Sequence, residues 1–63
     1  MTKTEFYVRG RTSGWCRGPF KTPEAATTEA GELSRQKAEI VDIEQRVTVT
    51  RQTVTIVGVV EPA

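Results

Sequence analysis

Polar and apolar residues trade places at every second position over residues 5–11, with Phe6, Val8 and Gly10 on one side and Tyr7, Arg9 and Arg11 on the other. A two-residue period puts alternate side chains on opposite faces of an extended chain, so this stretch predicts a half-buried strand. Thr12-Ser13-Gly14 is a turn cluster. Residues 15–21 can then run back as a second strand, with Cys16, Gly18 and Phe20 on one side and Trp15 and Arg17 on the other. Pro19 has no amide hydrogen to give to a ladder, which sets this strand at an edge or ends it early.

At Thr22-Pro23-Glu24 the pattern changes. A threonine hydroxyl accepts from free helical amides, proline suits the first helical position and an acid suits the positive first turn, so a helix is expected from Pro23 to about Lys37. At helical spacing Ala26, Ala30 and Leu33 share one face, with Lys37 and Ile40 near its end, while Glu24, Thr28, Arg35 and Glu39 lie opposite. A stripe of such small residues lets a helix lie close on a sheet. Gly31, on the outer side, weakens the helix by roughly 1 kcal/mol relative to alanine.

Beyond Glu39 the two-residue period returns in β-branched residues. Val41, Ile43, Val47 and Val49 take one parity, and Asp42, Glu44, Arg46, Thr48 and Thr50 the other, as in a strand solvated on one side. A turn near Arg51-Gln52 leads to a last strand over about residues 53–60. There Val54, Ile56 and Val60 are expected to face the helix and Val57 and Val59 to face outward, with Gly58 marking a bulge or a close backbone contact. The pattern predicts a single α+β domain over residues 1–63, ββαββ in order, with one helix packed on a mainly antiparallel four-stranded sheet. Periodicity does not contain the spatial order of the strands.

Length bears on how such a fold is held. A chain of 63 residues buries only about 60% of the surface its unfolded form exposes. The single cysteine, Cys16, forms no internal disulfide, and the lack of histidine removes the usual zinc ligand sets. No metal or cofactor is expected. Self-association is the remaining common route to stability, and the outward valines point to a homodimer through the C-terminal strand, with Glu61-Pro62 as a stop against further extension. Residues 1–5 lack the apolar run of a secretory signal, and residues 56–60 are too few to span a bilayer, so the expected location is cytoplasmic, away from membranes.

The net charge of +1 hides an uneven distribution. Lys3, Arg9, Arg11, Arg17 and Lys21 stand against Glu5 in the first third, whereas Glu24, Glu29, Glu32, Glu39, Asp42 and Glu44 stand against Arg35 and Lys37 in the second. Such polarity suits a binding surface. Tyr7, Arg9, Arg11, Trp15, Arg17 and Lys21 form the candidate partner-binding set. If the first two strands pair, most of them stand on one face of a hairpin, where guanidinium groups meet phosphates or carboxylates and rings supply anchoring area. In the competing reading Trp15 and Tyr7 cover the sheet's open face and the arginines are solubilising edge charges.

Catalysis is not expected, because the chain has no histidine, no glycine-rich phosphate loop and no recognisable dyad. Asp42 and Glu44 share a strand face as paired carboxylates would, but Arg46 and threonines on that face point to an ordinary solvated surface. Cys16, on the parity of Phe20, reads as a packed, inert thiol.

Gly18-Pro19-Phe20, followed by Thr22, Ala25-Ala26 and Leu33, resembles the strand-to-helix passage of SPOR domains, bacterial modules that bind cell-wall glycan. The resemblance covers that passage only, and the family's second helix has no counterpart in the pattern. In size and layout the chain also resembles small phage-encoded anti-CRISPR proteins and other anti-defence inhibitors. That likeness implies a non-enzymatic inhibitor or accessory factor that occludes a host protein or protein complex, and the residues offer either the basic hairpin or the acidic helix-strand face, around Glu24, Glu32, Asp42 and Glu44, as the contact surface. The residues leave an alternative open, a small nucleic-acid-binding module that uses the basic N-terminal hairpin.

Overall fold

Helix α1 (Pro23–Lys37) starts where the threonine-proline pair sets it. In the computed structural model, which describes residues 1–62, Thr22 is extended and its hydroxyl accepts from the Ala25 amide at 3.2 Å. That bond satisfies one of the donors a helix start leaves free. At the other end Ala38 enters the left-handed region, φ 53° and ψ 46°, and its amide donates to the Ser34 carbonyl. Alanine takes that conformation at a cost of about 1 kcal/mol. The buried face is Ala26, Ala30 and Leu33, as the spacing predicts, with Ser34 added. Ser34 Oγ donates to the Gly31 carbonyl at 3.0 Å, so its burial leaves no polar group unpaired.

Strands β1 (Lys3–Gly10), β2 (Cys16–Phe20), β3 (Val41–Thr48) and β4 (Gln52–Val60) form one sheet, antiparallel throughout, in spatial order β2-β1-β3-β4. The α+β class and the ββαββ order are those expected from the sequence. Two hairpins lie side by side, joined through β1 and β3, whose register runs from Lys3 opposite Thr48 to Gly10 opposite Val41. Helix α1 crosses one face. There Phe6, Val8, Val41 and Ile43 of the central strands meet Ala26, Ala30 and Leu33, and Trp15, Phe20 and Val60 close the margins. Leu33 is the one large side chain that the helix sends into this core, so Leu33→Ala is expected to cost about 2–5 kcal/mol. Among the described residues no helix is long and apolar enough to cross a membrane.

Both outer strands depart from strict alternation, and a bulge causes each departure. On β2, Phe20 lies opposite Phe6 and Arg17 opposite Val8, so Gly18 and Pro19 together face Tyr7. The inserted residue shifts the parity. Cys16, opposite Arg9, therefore stands on the uncovered face, and Phe20 on the covered one. The expectation of a packed thiol is corrected: Cys16 is exposed. Gly18 has φ 143°, and a β-carbon there would lie 2.7 Å from Tyr7 Cδ2 and 2.9 Å from the Phe6 carbonyl oxygen, so only glycine fits beneath the tyrosine.

On β4, Ile43 faces Gly58 while Glu44 faces Ile56, which makes Val57 the extra residue, one place before the glycine. The faces before it are the reverse of the expected ones. Val54, opposite Arg46, and Ile56, opposite Glu44, lie on the uncovered face and are each 51% exposed. The expectation that they face the helix is corrected. Val60, opposite Val41, does pack against the core.

Candidate functional site

The face of the sheet away from the helix carries Glu5, Tyr7 and Arg9 of β1, Asp42, Glu44 and Arg46 of β3, and Val54, Ile56 and Val59 of β4. Register decides what it presents. Glu5 stands opposite Arg46, Tyr7 opposite Glu44 and Arg9 opposite Asp42, so the β1–β3 pairing lays the basic first third of the chain on the acidic second third. Arg9 Nε donates to Glu44 Oε2 at 2.8 Å, and Arg46 Nη2 and Nε donate to the other carboxylate oxygen at 2.9 and 3.2 Å. The Arg46 guanidinium sits 3.8 Å from the centroid of the Tyr7 ring, and its Nη2 donates to Cys16 Sγ at 3.7 Å. One side chain thus reaches from β3 over β1 to β2, held by charge and by the ring's π face. Just past β1, Arg11 grips Asp42 with a forked pair of hydrogen bonds at 2.7 and 3.3 Å.

Glu44 is only 6% exposed, which corrects the expectation of an ordinary solvated surface at this position. Burial pushes its carboxyl up, but the hydrogen bonds and charges of Arg9 and Arg46 outweigh that and hold it below the usual glutamate value. The group stays ionised with both oxygens engaged.

The six residues singled out in the sequence do not share one face. Tyr7 and Arg9 stand on the uncovered side, and Arg11 continues it. Trp15 lies on the other side, half-buried against the core. Its indole Nε1 donates to Glu39 Oε2 at 3.0 Å, and the Lys37 ammonium sits 5.4 Å from the ring centroid. Gly10 makes room for this, since a β-carbon there would come 2.6 Å from the indole Cε2 and 2.8 Å from Glu39 Oε1. Glu39 also accepts from the Thr12 and Ser13 amides, each at 3.1 Å, and from the Ser13 hydroxyl at 2.9 Å. These donors, the Ser13 amide foremost and the indole next, hold its carboxyl below the usual value.

Arg17, opposite Val8, is on the helix side, 3.9 Å from Glu29, and Lys21 is exposed where the chain turns into α1. The expected one-faced basic hairpin is therefore corrected. The set divides between both faces because the turn sets Cys16 opposite Arg9, which leaves Arg17 opposite Val8 on the helix side, and places Trp15 before β2. Sequence reasoning missed Glu44 and Arg46 as the centre of the face, although their shared parity with Asp42 was a usable signal. It also missed Val54 and Ile56, whose facing depends on the Val57 bulge.

Among the described residues, no group of three or more histidine, cysteine, aspartate and glutamate side chains could hold a metal ion, and no pocket opens on the surface. The uncovered face is a broad relief of paired charges bordered by valine and isoleucine. No protein-family model, curated protein or solved structure matches this chain.

Proposed function

We propose that the protein is a non-enzymatic binding module that docks the uncovered face of its sheet on a partner protein and acts by occluding it. The observation that carries this reading is the make-up of that face. Val54, Ile56 and Val59 are half-exposed along β4, beside arginines whose charges are answered by Glu44 and Asp42. An apolar strip bordered by satisfied polar groups is the anatomy of a protein–protein contact. A nucleic acid would have to draw Arg9, Arg11 and Arg46 away from their carboxylates, and that cost favours the protein partner. Likeness in size and layout to small phage-encoded anti-defence inhibitors supports a host protein complex as the thing occluded.

The test is capture by the immobilised protein from a bacterial lysate. A retained partner is expected to be lost with Val54→Lys/Val59→Lys and kept with Thr28→Lys on the outer side of the helix. Equal capture by all three chains would overturn the assignment of the face. Binding of labelled DNA or RNA at about 50 mM salt, weakening steeply as salt rises, would replace the reading with the nucleic-acid one.

A further inference from the structure

The two edges of the sheet are unlike. At one, β2 is five residues long, contains Pro19, is bulged, and carries Arg17 beside Glu29 of the helix. Short length, proline, charge and a bulge are the devices that keep a sheet from adding another strand. At the other edge, β4 has nine residues with neither a charged side chain nor a proline. Its exposed run Thr53, Val54, Thr55, Ile56 and Val57 is β-branched throughout. Residues 52–56 keep regular register with β3 on their inner side. Their outer side offers backbone N–H and C=O groups with nothing to deter a further strand.

We propose that this edge is a self-association surface: β4 pairs antiparallel with β4 of a second copy about a two-fold axis at Val54 or Thr55. Antiparallel pairing of identical strands requires an axis perpendicular to the sheet, which keeps both helices on one side and joins two four-stranded sheets into one. The sequence of the edge suits a second copy in particular. An axis of this kind opposes only residues of like parity, so Thr53 and Thr55 meet threonine or Val57 on one side, while Val54 meets Ile56 or its own mate and Ile56 meets Val54 or Gln52 on the other. Matched β-branched pairs and threonine pairs support such a ladder, and no like charges oppose it. The chain also has reason to associate, since among the described residues its core is seven buried apolar residues with three partly buried ones at the margin. This inference goes beyond the docking reading. Edge pairing leaves the uncovered face free and sets two apolar strips side by side.

Sedimentation equilibrium of the full chain, from micromolar to several hundred micromolar, is expected to show a monomer–dimer equilibrium. Thr55 is exposed and lies on the helix side of β4, opposite Gln45, outside the docking face. Thr55→Lys brings like charges together near the axis and is expected to weaken the dimer by at least about fivefold, with the circular dichroism spectrum unchanged. In a Cys16→Ser background, Thr55→Cys is expected to link into a dimer with a short bismaleimide, because the axis brings the two thiols within roughly 8 Å. Thr28→Cys in the same background is expected to give no such product. A chain that stays monomeric at several hundred micromolar overturns the proposal, as does a dimer that Thr55→Lys does not weaken and Thr55→Cys does not link. These measurements need no partner and leave Val54 and Val59 intact, so their failure is distinct from failure of lysate capture.

Discussion

Glu39 and Glu44 each gather several donors onto one carboxylate, yet they hold different parts of the molecule with different consequences. Glu39 accepts from Thr12, Ser13 and Trp15, all in or beside the β1–β2 turn, and every donor is neutral. Glu44 is buried and, among the described residues, accepts from the guanidinium groups of Arg9 on the neighbouring strand β1 and of Arg46 two residues along its own strand. Neutral donors freed at the surface can turn to water. Two cations left over a buried position cannot lose their charge, and they repel each other. What sets a carboxylate's weight is therefore the charge of its donors and their distance from water more than the number of bonds it accepts.

The sharpest way to break this comparison is to remove each acid in turn. Glu44→Ala is expected to cost roughly 2–3 kcal/mol, at the lower end for a broken buried pair, because the Arg9 side chain is still 40% exposed. Urea denaturation measures it, and a loss no larger than that of Glu39→Ala would refute the ranking. The next effect is acid sensitivity. Both carboxyls lie below the usual value in the folded protein. A group depressed in this way contributes stability that is complete above its unfolded value, about 4.3 for glutamate, and is lost as pH falls through the folded value. The thermal midpoint should be level from neutral pH to about 5.5 and then fall below about 4.3. Glu44→Gln should flatten that fall more than Glu39→Gln does.

Glu39→Ala should act locally. The Trp15 emission is expected to shift to the red and the Thr12 and Ser13 amides to exchange faster, while the amides shared by β1 and β3 keep their protection. Faster exchange throughout the sheet would mean that Glu39 holds more than a turn. The smallest effect belongs to Ala38→Gly, just before Glu39, which relieves a left-handed alanine and should raise stability by about 0.5 kcal/mol. A decrease would show that the alanine side chain contributes something its backbone conformation does not reveal.

The helix and the two central strands are legible in the sequence because each is marked within a few residues. Thr22 and Pro23 start the helix, and the alternations through Phe6 and Val8 and through Val41 and Ile43 name the covered face. The outer strands are harder to read, since one inserted residue reverses every facing beyond it. Gly18-Pro19 and Val57-Gly58 suggest irregularity without saying where the insertion falls. The candidate site is legible in the same measure: Tyr7, Arg9 and Arg11 are found from β1 alone, while Trp15, Arg17, Val54 and Ile56 depend on a turn or a bulge. Strand order leaves no periodic trace. The meeting of Arg9 with Glu44 follows from the adjacency of β1 and β3, which no local pattern announces.

That adjacency also governs how quickly the molecule can form. The β1–β2 and β3–β4 ladders each close across a short turn, whereas Lys3 meets Thr48 only after the helix and everything else between them has been drawn in. Loop-closure entropy is expected to make this central ladder the slow event, which stopped-flow refolding of a Val8→Ala chain would check by a slowed folding limb. During synthesis β1 has no permanent neighbour in the middle of the sheet until β3 has left the ribosome. The order of manufacture is then the reverse of what the two margins would suggest, because the guarded edge is made early and the open edge, β4, is the last strand to arrive.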